Sequence, residues 1–181
     1  MDQTSMNLMK TVVDKYGLGG EDRKIVDMGS YDINGTYKEL FAGEYIGVDI
    51  IPGPNVDVLM DSLEWNAISN VDAVISGQTL EHVADVPRWM AEIMRVLKPG
   101  GIVCIIVPSM GPRHDHPIWT GNFPECQVEQ IIKGAGFEFM STSLDGNLPW
   151  CLVTGVGRKP EIKLESKKTE SKSTKRKDEE I

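Results

Sequence analysis

Lys24-Ile25-Val26-Asp27-Met28-Gly29-Ser30 opens the stretch that decides the fold. An apolar run ends there on an acid, a glycine and a serine. A second run ends on Val48-Asp49, and a third leads into Ser76-Gly77-Gln78-Thr79-Leu80-Glu81-His82-Val83. A helical stripe then closes on Leu97-Lys98-Pro99-Gly100-Gly101, which opens the apolar run Ile102 to Val107. Short apolar runs bounded by Gly, Pro, Asp or Asn read as strands, here at 24–28, 45–50, 56–60, 72–76 and 102–107.

Outward from this stretch, helices alternate with the strands. Met6, Met9, Val12, Val13 and Tyr16 recur at helical spacing, so residues 4–16 form an amphipathic helix that Gly17-Leu18-Gly19-Gly20 stops. Val86, Trp89, Met90, Ile93 and Leu97 make a second stripe behind Asp85, a fitting N-cap. Val128, Ile131, Ile132 and Ala135 make a third, after Pro124. Near the end, Phe137–Leu144 and Trp150–Gly157 read as strands joined by Asp145-Gly146-Asn147-Leu148-Pro149. Parallel neighbours need a crossover of a dozen or more residues, so this short link makes the pair antiparallel. The expectation is an α/β fold. Its seven-stranded, mostly parallel, doubly wound sheet has an antiparallel C-terminal strand.

A chain of 181 residues suits one domain, here 1–159. From Pro160 onward it turns to Lys, Glu, Ser and Thr and cannot bury enough surface to order itself, so 160–181 reads as a disordered charged tail. That tail holds seven Lys and Arg against six Asp and Glu, so it is +1 and the domain carries −9, which together give the −8 total. An acidic domain argues against a nucleic-acid partner, whose phosphates would be neutralised by basic side chains. Cys104, Cys126 and Cys151 lack metal-type spacing, and Cys104 lies within an apolar run, so a buried free thiol and a reducing, cytoplasmic setting are expected. The start, Met1-Asp2-Gln3-Thr4-Ser5, has no signal-peptide pattern, and no apolar run nears the ~18 residues of a membrane span.

In order and spacing, residues 20 to 158 resemble the class I S-adenosylmethionine-dependent methyltransferases, particularly the small type 11 group. The resemblance implies a Rossmann-like methyltransferase fold with S-adenosyl-L-methionine as cofactor. Asp27, Gly29 and Ser30 stand in the first, glycine-rich cofactor loop, although Tyr31 and Ile33 replace its later glycines and Asn34-Gly35 supplies a shifted turn. Absence of a G-x-G-x-x-G run counts against a nicotinamide cofactor. Asp49 ends the second strand, where a carboxylate can accept both ribose hydroxyls, with Ile50 packing on the adenine. Asp61 and Ser62 stand where the family reads the adenine amine, with Asp57 near enough to compete. Gly77 and Gln78 join them at the end of the fourth strand.

Methyl transfer is an in-line displacement at an already electrophilic carbon, so the protein must chiefly align the nucleophile. A hydroxyl acceptor also gains from a base, for which His82 is placed, with Glu81 beside it to orient it or cap the turn. Gly111-Pro112-Arg113-His114-Asp115-His116-Pro117-Ile118-Trp119 follows the fifth strand, where this family receives its acceptor. His114 and His116 are further catalytic candidates. Arg113 and Trp119 are candidates for binding a small-molecule or glycan acceptor. No metal is expected: some RNA 2′-O-methyltransferases of this fold hold Mg²⁺ with E-x-x-E-H and a distant histidine. Here Gln78 replaces the first carboxylate, which a hard cation would miss, although His114 or His116 could stand as the distant ligand.

The favoured expectation is thus a methyltransferase acting on a small molecule or glycan. An RNA or protein methyltransferase recruited through Lys175-Arg176-Lys177 is one alternative. A degenerate cofactor-binding interaction module, prompted by Tyr31 and Ile33, is another. The small size leaves few residues for a lid, which keeps a homodimer open as a way to complete the pocket.

Overall fold

The computed structural model describes residues 3–60, 68–115, 117–147 and 149–161. Asp61, Ser62, His116 and the tail from residue 162 lie outside them.

Among the described residues seven strands form one sheet: β1 (Lys24–Met28), β2 (Glu44–Asp49), β3 (Val58–Leu59), β4 (Val71–Gly77), β5 (Leu97–Met110), β6 (Glu138–Asn147) and β7 (Trp150–Arg158). Their order is β3-β2-β1-β4-β5-β7-β6. All pairs through β5 are parallel, while β7 runs antiparallel to both β5 and β6, the mixed sheet that the short 145–149 link implies. Strand order reverses between β1 and β4. In such sheets ligands bind beyond the carboxyl ends of the strands at that switch point.

Parallel strands buried on both faces explain the unbroken apolar runs. Successive residues of β1, β4 and β5 supply opposite cores. Val26, Val74, Val103 and Ile105 face α2 (Val86–Val96) and α3 (Glu125–Gly134), which contribute Trp89, Ile93, Val128 and Ile132. Ile25, Ala73, Ile75, Cys104 and Ile106 share the other core with Met9, Val12 and Val13 of α1 (Gln3–Tyr16). Each buried Val, Ile or Met among them contributes about 1.5–3 kcal/mol. Cys104 is buried and its thiol is pushed up to about 12 by desolvation, so it packs as a small hydrophobe.

The helix ends follow the sequence signals. The Asp85 carboxylate accepts the Arg88 amide at 3.1 Å and caps α2, with Pro87 in its first turn. Space at Gly155 of β7 lets α3 close on the sheet, since a Cβ there would meet Val128 Cγ1 at 2.3 Å.

β3 and β5 differ most from their expected lengths, and β6 runs on to Asn147, into the expected 145–149 link. β5 starts at Leu97, at the head of the Leu97-Lys98-Pro99-Gly100-Gly101 stretch expected to end the helix, because Leu97 pairs with Val71 before a register shift. β3 is only two residues long. Asp57, ahead of it, turns its carboxylate back to the Gly47 amide at 2.8 Å, and Asn55 has positive φ, so neither residue extends the strand.

Candidate functional site

The carboxyl ends of β1, β2, β4 and β5 form the site, and it has two halves. In the first, Asp49 leaves β2 with each carboxylate oxygen set by a backbone amide. Tyr31 N–H donates to one at 3.0 Å and Ile51 N–H to the other at 3.1 Å. Each oxygen keeps a further lone pair, so the fixed carboxylate suits two neighbouring hydroxyls. Ile50 is 54 % exposed and Ile51 50 % exposed beside it, an apolar surface fit for a flat ring.

Asp27 lies beneath this half. It is buried, and the Tyr45 hydroxyl donates to its carboxylate. Desolvation pushes Asp27 up, the Tyr45 hydrogen bond opposes this and the charge of Asp49 adds to it, for a result of about 7. Burial, then the Asp27 charge and hydrogen bond, push the Tyr45 hydroxyl upward too. Asn55 Nδ2 donates to Tyr45 Oη at 3.2 Å and to Ser30 O at 3.0 Å, while Ser30 Oγ donates to Asn55 O at 3.0 Å. Asp27 and Ser30 therefore hold the loop after β1 in shape. Asp57, the competing acid, is occupied with the Gly47 amide.

Gly29 has φ +76°, and a Cβ there would meet Thr79 Oγ1 at 2.0 Å. Thr79 Oγ1 in turn donates to Met28 O at 3.1 Å, which locks the ends of β1 and β4 together. Gly77 lies under the Tyr37 hydroxyl, 2.0 Å from where its Cβ would be, and Tyr37 Oη is 2.5 Å from Ser5 Oγ of α1. Gln78 has φ +56°, strained for a residue with a side chain, and its amide donates to Ile106 O at 2.7 Å. Tyr31, where a glycine was expected, lays its ring on Gly53. The late turn is at Gly35, whose amide donates to Asp32 Oδ1 at 2.6 Å.

The second half is built on the turn Leu80–His82. Glu81 is 0 % exposed, and neither carboxylate oxygen has a hydrogen-bond partner among the described residues. Burial pushes its carboxyl up to about 8. Its backbone carbonyl accepts both the amide and the hydroxyl of Thr120, at 2.8 and 3.0 Å, which ties the 111–120 loop down. His82 Nδ1 lies 2.6 Å from Ile118 O, an acceptor, so this nitrogen carries the proton. His82 Nε2 lies 3.9 Å from Glu81 Oε1.

His114 packs edge-on to His82, with ring centroids 5.1 Å apart, and edge-on to Trp150 at 5.9 Å, while it tilts against Trp119 at 4.7 Å. Glu81, His82 and His114 each offer a ligating atom within 4.8 Å of the others. The structure thus unites His82, His114 and Trp119 from the sequence candidates. Arg113 stays outside, exposed and paired with Asp115 at 3.3 Å. Sequence reasoning left Trp150 out of the site and gave Glu81 only a supporting part. The one sequence signal for Trp150 was its position at the start of a strand beside β5.

A methyltransferase-domain family profile matches residues 33–105. A probable S-adenosylmethionine-dependent methyltransferase of Mycolicibacterium smegmatis is 29 % identical over 97 residues, which is 49 % of this chain and 38 % of the relative. Over those residues the chain is similar to the S-adenosylmethionine-dependent methyltransferases. The match spans well under half the length of that curated relative. Among solved methyltransferases, Burkholderia thailandensis 1,6-didemethyltoxoflavin-N1-methyltransferase superposes with a TM-score of 0.71 at 16 % identity, over 88 % of this chain and 80 % of that one. That structure holds 1,6-didemethyltoxoflavin and S-adenosylhomocysteine. A putative sarcosine dimethylglycine methyltransferase from Galdieria sulphuraria superposes at 0.68, also 16 % identical, over 87 % and 86 %. At such identity these two solved structures speak for the methyltransferase fold alone. No helix among the described residues is long and apolar enough to cross a membrane.

Proposed function

We propose that the protein transfers a methyl group from S-adenosylmethionine to a small-molecule acceptor, preferentially a hydroxyl on a sugar-like compound. Asp49 carries the cofactor half of this reading. Its carboxylate, fixed by two amides at the sheet's switch point, fits a ribose diol, and exposed Ile50 and Ile51 fit an adenine face. Bound there, the cofactor supplies an electrophilic methyl group.

The chain's own residues do the rest. The Thr79–Met28 lock and the part-buried Asp27–Tyr45–Asn55 network keep the loop after β1 in one conformation, which limits the ordering cost of binding. Across the switch point, His82 holds its proton on Nδ1 and keeps a lone pair on Nε2 to take the acceptor proton. Trp119 and Trp150 offer flat faces against which a ring can pack. Support for a small acceptor comes from the relatives, since the Burkholderia enzyme holds a small heterocycle. The preference for a hydroxyl rests on His82.

The test is transfer of a labelled methyl group to a panel of free sugars, phenols and amines. Transfer to hydroxyl compounds, reduced at least tenfold by His82→Ala with S-adenosylhomocysteine affinity unchanged, is expected. Transfer to amines alone would overturn the hydroxyl preference. Cofactor binding with no transfer to any acceptor would overturn the small-molecule reading.

A further inference from the structure

Glu81 poses a chemical question that methyl transfer does not answer. Its side chain is fully buried, both oxygens lack a hydrogen-bond partner among the described residues, and two imidazoles stand beside it. A buried carboxylate with no partner is rare, because it loses its hydration and gains nothing in return. Here the neighbours supply what would compensate it.

His82 Nδ1 donates to Ile118 O, and His114 Nδ1 lies 3.2 Å from Pro112 O. Both rings are thus oriented through Nδ1 by backbone carbonyls. Metal-ligating histidines are held this way, with one nitrogen fixed by a hydrogen bond and the other presented as a ligand. Trp119 and Trp150 surround His114 with low-dielectric surface, which strengthens any charge held there.

We infer that Glu81, His82 and His114 form a binding site for one divalent cation of borderline character, such as Zn²⁺. Two neutral nitrogens and one carboxylate are the donor set of open zinc sites, whereas Mg²⁺ prefers several charged oxygens and keeps its waters. The amide of Gln78, which weakens the case for a hard ion, is no obstacle to a borderline one. The three ligating atoms lie within 4.8 Å of one another. A tetrahedral ion with bonds of ~2.1 Å places its donors ~3.4 Å apart, so closure needs a shift on the order of 1 Å.

An ion held by three protein groups keeps a position open for a hydroxyl or water, whose proton it would make easier to remove. His82 would then be a ligand and the cation would replace it as the activating group. The binding site itself does not depend on the methyltransferase reading, because it is defined by affinity for the ion.

Co²⁺ titration of the full chain provides the test, with the exposed Cys126 and half-buried Cys151 thiols silenced by Cys126→Ser and Cys151→Ser. Visible absorption of a four- or five-coordinate ion is expected at one equivalent, displaced by Zn²⁺ and left unchanged by excess Mg²⁺. His114→Ala and Glu81→Gln should each weaken Co²⁺ binding at least tenfold, with circular dichroism unchanged. Binding of equal strength in either variant would overturn the proposal, as would the absence of a coordinated-ion spectrum in the parent. Should the variants fail to fold, paramagnetic broadening in the parent decides. Loss of the His82 and His114 ring signals at one equivalent supports the site, and their persistence refutes it.

Discussion

Asp72 sits at the start of β4 and Glu81 lies just past its end; both acids are buried, yet their surroundings are opposite. Asp72 receives Arg23 Nη1 at 3.0 Å, the Lys24 amide at 2.9 Å and the Lys98 ammonium. Burial alone would raise its carboxyl, but hydrogen bonds from Lys98, the Lys24 amide and Arg23 together hold it below the usual carboxylate range. Glu81 has no such donors, and burial drives it up to about 8. The amino end of the sheet is thus closed by satisfied charge, while the carboxyl end holds a buried acid whose oxygens have no hydrogen-bond partner among the described residues. One end holds the fold together and the other gives up stability for chemistry.

That contrast breaks first at Asp72. Asp72→Ala removes the acceptor shared by two cations, and urea denaturation should show a loss of about 3 kcal/mol. The value is at the low end for a buried pair because Arg23 and Lys98 are each about a third exposed. A loss below about 0.5 kcal/mol would mean that the amino end is not held by this cluster.

The next effect lies in pH. Asp27 is favoured as the neutral acid, so the native protein keeps a proton that the unfolded chain releases near pH ~4. Its stabilising contribution is complete below ~4 and is lost as pH rises to about 7, at roughly 1.4 kcal/mol per unit. Asp27→Asn should flatten this decline in denaturation curves taken across that window. An unchanged slope would show that Asp27 is charged in the fold.

The smallest effect has the opposite sign to the first. With divalent ions chelated and at pH ~9, Glu81→Gln should raise stability by about 1 kcal/mol, since an acid ionised there without a partner is exchanged for a neutral amide. A loss comparable to that of Asp72→Ala would erase the distinction between the two ends.

The order of strands and helices was legible because each strand, buried on both faces, spells a continuous apolar run, and because Asp85 and the short 145–149 link mark a cap and a reversal. The ends of β3 and β5 were not. Asp57 and Asn55 are drawn into contacts with Gly47 and Ser30, and Leu97 into pairing with Val71, and no local pattern announces such tertiary demands. At the site, Asp49 was legible from its place at a strand end. Glu81 was harder to weigh, since an acid in a turn ordinarily meets water. In the fold it is fully buried, and its backbone carbonyl accepts from Thr120, 39 residues further along. Trp150 reaches His114 from a strand 36 residues further along, a meeting that only the antiparallel placement of β7 beside β5 produces.

Calorimetric titration with S-adenosylhomocysteine, on the native chain and on Asp49→Ala, tests the central claim most directly: the carboxyl end of this sheet is the ligand-binding end. Micromolar binding in the native chain, weakened on the order of 100-fold by the loss of two charge-assisted hydrogen bonds with the melting temperature unchanged, is the predicted result. Equal affinity in the two proteins would contradict it, and so would a native chain that binds no S-adenosylhomocysteine at all.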